Sequence, residues 1–189
     1  MKYDVIYADP PWSFKTWSPK GQGRAPKYPT MSLEDICNLP VRSIIADNAV
    51  LFLWTLGWIP PKEISILLDY WGFTYKTLAF DWWKVTAEDL PRTAKGYYTR
   101  ASSEQCILAT RGKMSVLPAN RPIQAIIEQP SKHSKKPLEA YDKIERMYPD
   151  TRKIELFSRE PRVGWTAVGN EIDGMDISKA IGLLALEER

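Results

Sequence analysis

The chain opens with the run Lys2-Tyr3-Asp4-Val5-Ile6-Tyr7-Ala8, which is followed directly by Asp9-Pro10-Pro11-Trp12. Valine, isoleucine and tyrosine are enriched in strands, whereas proline cannot donate a hydrogen bond to a neighbouring strand. The run therefore predicts a strand that ends at Ala8 and places Asp9 at its carboxyl end. Pro10 and Pro11 restrict the backbone at this point, so Asp9 and Trp12 would leave the strand on a stiff turn.

The rest of the chain alternates between strand-like and helix-like patterns. Strands are predicted at 49–54, 74–83, 105–110, 123–127 and 152–157, helices at 61–71, 136–148 and 176–186, and a short helix after a capping box that begins at Ser32. This alternation is typical of an α/β fold whose sheet is covered by helices on both faces. Ligands of such sheets bind beyond the carboxyl ends of the strands, which is where Asp9 is expected.

Composition and length limit the classes of protein to which the chain can belong. The chain has 189 residues with a net charge of +3, which fits one domain of an ordinary globular protein. With two cysteines far apart and one histidine, His133, the composition excludes a serine–histidine–aspartate triad, a disulfide scaffold and a zinc site built from several histidines or cysteines. We find no dinucleotide-binding or P-loop glycine motif, no signal peptide and no apolar stretch long enough to span a bilayer, and we expect a cytoplasmic protein without a metal.

The Asp9-Pro10-Pro11-Trp12 motif suits methylation of an amino group on a nucleobase. The exocyclic nitrogen of adenine is a poor nucleophile because its lone pair is delocalised into the ring. A carboxylate from Asp9 and the fixed carbonyl of Pro10 would accept its two N–H groups and support the developing positive charge. Trp12 would stack on a base that is splayed out of its strand. The structural alternative is a rigid proline turn with a packed tryptophan.

Six blocks of sequence carry a resemblance to a known family. They lie at 8–12, 28–31, 51–54, 133–137 and 152–159, with Gly164-Trp165 and Gly169-Asn170-Glu171 as the last. In this order they resemble the adenine amino-group methyltransferases of the Asp-Pro-Pro-Trp type. That family is named for the A subunit of the eukaryotic mRNA N6-adenosine methyltransferase, and it includes prokaryotic and phage DNA methyltransferases. The resemblance implies a Rossmann-like fold with a single, mostly parallel sheet, and S-adenosylmethionine as the methyl donor.

The resemblance also implies site residues. Asp9, Pro10, Pro11 and Trp12 would be catalytic, and residues 1–174 would form the catalytic domain, with 175–189 as a packing helix of the same domain. The cofactor would be bound by Asp9, Lys136, Glu155, Leu156, Phe157, Arg159, Asn170 and Glu171. Lys136 would face the methionine carboxylate, whereas Arg159 and Asn170 would bond the ribose. Ser158 stands where family members often carry glycine.

Basic loops with interleaved aromatic residues predict contacts with nucleic acid. The substrate-binding candidates are Trp12, Lys15, Lys20, Arg24, Tyr28, Arg92, Lys95 and Tyr97. Solvated loops that are merely basic are the structural alternative. We find no separate target-recognition domain, so sequence selectivity is expected to be short or to come from a partner subunit or a homodimer.

The function that these observations favour is transfer of a methyl group from S-adenosylmethionine to N6 of adenine in DNA, by an enzyme of prokaryotic or phage type. One alternative is the same reaction on RNA. Another is a subunit that binds nucleic acid without catalysing the reaction, and a third is methylation of cytosine or of a protein amide.

Overall fold

The computed structural model describes residues 2–13, 29–94, 98–131 and 135–187. The strands are β1 (Tyr3–Ala8), β2 (Ile45–Thr55), β3 (Thr74–Lys84), β4 (Ser103–Arg111), β5 (Ala125–Glu128), β6 (Lys153–Leu156) and β7 (Trp165–Val168). The helices are α1 (Leu33–Cys37), α2 (Pro61–Trp71), α3 (Leu138–Met147), α4 (Asn170–Asp173) and α5 (Ile177–Glu187).

The seven strands form one sheet in the order β5-β3-β4-β2-β1-β6-β7. The pairs β1–β2, β1–β6, β6–β7 and β3–β5 are parallel, whereas β4 runs antiparallel to both of its neighbours. The carboxyl ends of β1, β2, β6 and β7 therefore share one edge of the sheet, and β4 begins at that same edge. We refer to it as the carboxyl edge.

Helices cover both faces of the sheet, and a separate apolar cluster lies on each face. On one face, α1, α2 and α5 contribute buried side chains such as Ile36, Trp71 and Ile181 to a cluster that includes Ile6 of β1. On the other face, α3 packs Ile144 and its neighbours against alternate residues of the same strands. Burial of β1 and β2 on both sides explains why their sequences are almost continuously apolar.

The structure confirms the α/β fold with one mostly parallel sheet, and α2 has the predicted bounds. The capping box at Ser32 is present, with Asp35 as its acidic partner. Two elements were not predicted, the strand β7 and the short helix α4, because each has only four residues and no clear periodicity. Nor did the sequence show that β4 is antiparallel, because the residues of a buried apolar strand do not indicate its direction relative to the neighbouring strands.

None of the helices in the described part of the chain is both long and apolar enough to cross a membrane.

Candidate active site

A cavity of about 460 Å³ lies over the carboxyl edge of the sheet. Its lining comes from segments that follow β1, β2, β5, β6 and β7 and from the start of β4: Asp9, Pro10, Pro11, Trp12, Pro29, Met31, Leu56, Trp58, Glu104, Lys136, Phe157, Ser158, Arg159, Asn170, Glu171 and Ile177. The volume falls in the usual range for a small-molecule site. The cavity brings together nine of the residues that the sequence assigned to catalysis or cofactor binding.

Charged side chains form a chain of contacts across the cavity floor. The ammonium of Lys136 lies 2.7 Å from Oδ2 of Asp9 and 3.0 Å from Oε2 of Glu104. Lys84 contacts the other carboxylate oxygen of Glu104. Lys136 also lies 5.3 Å from the centre of the Trp54 ring, a cation–π distance. Two carboxylates and two ammonium groups thus balance each other's charge.

Exposure differs sharply between the members of this chain. The side chain of Lys136 is only 9% exposed, whereas that of Asp9 is 34% exposed and faces the cavity. A buried ammonium needs partners, and Lys136 has two carboxylates. Asp9 is therefore held by Lys136 while part of its carboxylate stays accessible from the cavity.

The surroundings shift the pKa values of all three groups. Burial raises the pKa of Asp9 above its usual value, and Lys136 offsets only part of that rise. Burial alone would raise the pKa of Glu104 too, but the ammonium groups of Lys136 and Lys84 lower it below the usual range. Burial would lower the pKa of Lys136, but the carboxylates of Asp9 and Glu104 raise it instead. Lys136 and Glu104 therefore stay charged at neutral pH.

The turn after β1 is fixed by backbone hydrogen bonds. The N–H of Trp12 donates to the carbonyl of Pro10 at 2.8 Å, and the N–H of Met31 donates to the carbonyl of Pro11 at 2.8 Å. The N–H of Ser13 donates back to the carbonyl of Met31. This stiff turn was predicted from the two prolines, whereas its attachment to Met31 is a tertiary contact that the sequence did not indicate.

Trp12 is more buried than a tryptophan whose ring is open for a base to stack on. Its side chain is 6% exposed, and its indole N–H donates to the carbonyl of Trp54 at 3.2 Å. The ring lines the cavity with a small part of its surface. Trp12 thus connects the turn after β1 to the end of β2, which orients the backbone of Pro10 and Pro11.

The segments after β6 and β7 form another wall of the cavity. Phe157 has φ of 65°, a left-handed conformation that is rare for a bulky residue. Beyond it, the Ser158 N–H donates to the carbonyl of Val168 at 2.9 Å and closes the turn onto the end of β7. Gly169 packs so closely here that a Cβ atom would lie 2.1 Å from the Ser158 carbonyl oxygen. This close approach places Asn170 beside the turn.

Three polar side chains of this wall are open to a ligand. Asn170 and Glu171 are exposed at the start of α4, and the Arg159 guanidinium lies 3.5 Å from the carboxylate of Glu171. Arg159 and Asn170 were assigned to the cofactor ribose from the resemblance. The structure brings them to one wall, together with the ring of Phe157.

Two residues assigned to the cofactor lie outside the cavity lining. Leu156 is fully buried in the apolar core, with no exposed surface. Glu155 accepts a hydrogen bond from the Tyr141 hydroxyl at 2.8 Å, and burial raises the pKa of its carboxyl. In this conformation the carboxylate of Glu155 bonds Tyr141 of α3 and does not line the cavity.

The residues assigned to nucleic-acid binding are largely outside the described part of the chain. This applies to Lys15, Lys20, Arg24, Tyr28, Lys95 and Tyr97, and also to His133. Arg92 is described, and it is exposed on the connection between β3 and β4, where its N–H donates to the carbonyl of Lys84. It does not line the cavity.

Sequence reasoning missed Glu104 as a site residue. Glu104 lies at the start of β4 rather than after the end of a strand, and only the antiparallel direction of β4 brings it to the carboxyl edge. The available signal was an acidic residue directly before a buried apolar strand. That signal is weak because surface acids often flank strands.

The donor set of the cavity suits S-adenosylmethionine. Asn170, Glu171 and Arg159 supply groups that bond hydroxyls, Phe157 supplies a ring surface, and Lys136 supplies a cation for a carboxylate. The Rossmann-like sheet, with a carboxylate after the interior strand β1, belongs to the class of S-adenosylmethionine-dependent methyltransferases.

Comparison with known proteins then identifies the family. The MT-A70 family model matches residues 3–171, and the chain belongs to the MT-A70 family. Members of this family use S-adenosylmethionine as methyl donor. The expectation of an adenine-N6 methyltransferase is confirmed at the level of the family.

Named relatives include bacterial and eukaryotic proteins. The chain is 37% identical over 190 residues to type II methyltransferase M.MunI of Mycoplasma sp, covering 90% of this chain and 78% of that protein. It is 29% identical over 181 residues to the human N(6)-adenosine-methyltransferase catalytic subunit METTL3, covering 93% of this chain and 29% of that protein. The N(6)-adenosine-methyltransferase MT-A70-like protein of Arabidopsis thaliana is 32% identical over 181 residues, which cover 92% of this chain and 24% of that protein. The chain thus spans less than a third of these two eukaryotic relatives.

Proposed function

We propose that the chain methylates the exocyclic N6 amino group of adenine in DNA, as an enzyme of prokaryotic or phage type. The observation that carries this proposal is the partly exposed carboxylate of Asp9 in the cavity, fixed there by Lys136. Such a group can accept an N–H from a base that enters the cavity. The cofactor, when bound, supplies a methyl group on a positively charged sulfur.

The residues of the motif act on the adenine amino group. The carboxylate of Asp9 accepts one N–H and stabilises the positive charge that develops on nitrogen. The carbonyl of Pro10 accepts the second N–H. That carbonyl already accepts from Trp12, but a carbonyl oxygen has two lone pairs, so one remains for the substrate. Both acceptors are held before the substrate arrives, so little reorganisation is needed.

Lys136 has two tasks in this proposal. Two of its three N–H donors serve Asp9 and Glu104, and the third is available for the methionine carboxylate of the cofactor. Arg159 and Asn170 bond the ribose hydroxyls, and Glu171 lies beside them. Leu156 supports this wall from the core, and Glu155 joins the cofactor contacts once its bond to Tyr141 opens.

DNA is favoured as the polymer by the pattern of relatives. The chain covers 78% of M.MunI, whose designation as a type II methyltransferase belongs to DNA-modifying enzymes. The eukaryotic relatives named as adenosine methyltransferases are matched over less than a third of their length. RNA is the second candidate because METTL3 aligns with nearly the whole of this chain. A subunit without catalysis is disfavoured because Asp9, Pro10, Pro11 and Trp12 are all present at the cavity.

The test supplies labelled S-adenosylmethionine with DNA and with RNA of matched sequence, followed by nuclease digestion and chromatography of the nucleosides. We expect label in N6-methyldeoxyadenosine from DNA. Label only in N6-methyladenosine from RNA would replace DNA with RNA in the proposal. Absence of label in both polymers, in protein that binds the cofactor, would refute the proposed activity.

A further inference from the structure

Trp58 is the most exposed aromatic residue of the cavity lining. Its side chain is 45% exposed, compared with 6% for Trp12 in the same cavity. Most of the other tryptophans in the described ranges, including Trp54, Trp71 and Trp82, are buried in the core. An exposed indole that lines a cavity offers a large ring surface to a ligand, and aromatic side chains commonly line ligand sites.

The segment that carries Trp58 is a stiff turn between β2 and α2. The N–H of Ile59 donates to the carbonyl of Leu56 at 2.9 Å, so Gly57 and Trp58 are the two central residues of the turn. Ile59 is buried in the core and anchors the turn on one side. Pro60 and Pro61 follow directly, and Pro61 is the first residue of α2. The backbone of Trp58 is therefore held in place by the fold around it.

The order of strands places Trp58 on one side of Asp9 and the wall formed by Phe157 and Asn170 on the other. In the sheet, β1 lies between β2 and β6, and Ala8 is level with Leu53. The segments that carry Phe157 and Asn170 follow β6 and β7, whereas Trp58 follows β2. Asp9 thus separates the side chains assigned to the cofactor ribose, after β6 and β7, from the exposed indole after β2.

We infer that Trp58 stacks on the nucleobase that enters the cavity toward Asp9, and that it is the main aromatic contact of the substrate base. This inference rests on the proposed function. Stacking on tryptophan is worth about a 5- to 150-fold change in affinity per base. A base that leaves its strand loses its stacking neighbours, and the Trp58 indole, which lines the same cavity as the acceptor of its amino group, replaces one of them. Trp12, with its small exposed surface, mainly fixes the turn.

The test compares Trp58→Ala and Trp58→Phe with the unchanged protein in binding to two pools of DNA oligonucleotides. One pool has a single central adenine between randomised positions drawn from cytosine, guanine and thymine, and the other has an abasic site in its place. Each pool is used as a single strand, and a version randomised only between cytosine and guanine is used as a duplex, because thymine would place adenine in the complementary strand. Binding is measured in the presence of S-adenosylhomocysteine. We expect Trp58→Ala to weaken binding of the adenine pool by about 5-fold or more, Trp58→Phe to retain most of it, and binding of the abasic pool to change little.

Trp83→Ala is the matched control, because Trp83 is 56% exposed but does not line the cavity. It is expected to bind both pools like the unchanged protein. Equal losses on the adenine and abasic pools, or no loss in Trp58→Ala, would overturn the inference. So would a loss of S-adenosylhomocysteine affinity in calorimetry, since the ring would then contact the cofactor. Failure of the proposed function is seen separately, as absence of methyl transfer by the unchanged protein.

Discussion

At the scale of the residue, Asp9 decides the chemistry that the cavity can perform. We expect Asp9→Asn to lower kcat by roughly 10²- to 10³-fold, the usual cost of removing one charge-stabilising group. The fold should persist because Asp9 is partly exposed and Lys136 keeps its contact with Glu104. The measurements are methyl transfer to adenine under saturating conditions and thermal unfolding by circular dichroism. Turnover equal to that of the unchanged protein would exclude the assigned role.

The charge network around Asp9 predicts two pH effects of opposite sign. The carboxylate form is required, so activity is lost as the pH falls through the pKa of Asp9, and burial moves that loss to a higher pH than for an ordinary aspartate. Glu104 raises and Lys136 lowers the pKa of Asp9. Glu104→Gln should therefore shift the acidic limb of kcat/KM to lower pH, and Lys136→Met should shift it to higher pH.

These two variants are to be measured at saturating cofactor, because Lys136→Met is also expected to weaken cofactor binding. A parallel profile of Lys62→Met, at an exposed position on α2, supplies the control. Shifts of the same sign in both network variants would show that a group other than Asp9 controls the acidic limb.

At the scale of the element, the junction of β6, β7 and α4 depends on close backbone packing. Gly169→Ala would place a Cβ atom 2.1 Å from the Ser158 carbonyl oxygen, and a backbone atom cannot move aside cheaply. We expect a loss of about 1–3 kcal/mol in the free energy of unfolding. Affinity for S-adenosylhomocysteine should fall as well, because Asn170 would be displaced. Urea unfolding and calorimetry measure the two effects.

The control is Gly182→Ala in α5, where a Cβ atom would have no neighbour within 4 Å. Alanine is the better helix former there, so this variant should be more stable by about 0.5–1 kcal/mol. A neutral Gly169→Ala would mean that the turn after β6 can rearrange without cost.

At the scale of the whole molecule, most of the lysine and arginine side chains that are expected to bind the phosphates of a polynucleotide lie outside the described ranges. Lys20→Ala and Arg24→Ala should each weaken binding of DNA and lower the slope of log affinity against log salt by about 1. Fluorescence anisotropy at several salt concentrations measures that slope. Lys179→Ala, at an exposed position on α5, is the control. Unchanged slopes in the first two variants would show that Lys20 and Arg24 do not contact phosphates.

The α/β fold, most of its elements and the position of Asp9 after the first strand could be predicted from the amino-acid sequence alone. Those inferences hold because apolar periodicity and proline act locally, and because Asp9-Pro10-Pro11-Trp12 is a rare combination. The tertiary structure alone decided three features: the antiparallel direction of β4, the contacts of Glu104 and Lys136, and the exposure of Trp58 beside a buried Trp12. Each depends on which strands lie next to each other, and strand order arises from long-range packing that leaves no local pattern in the chain.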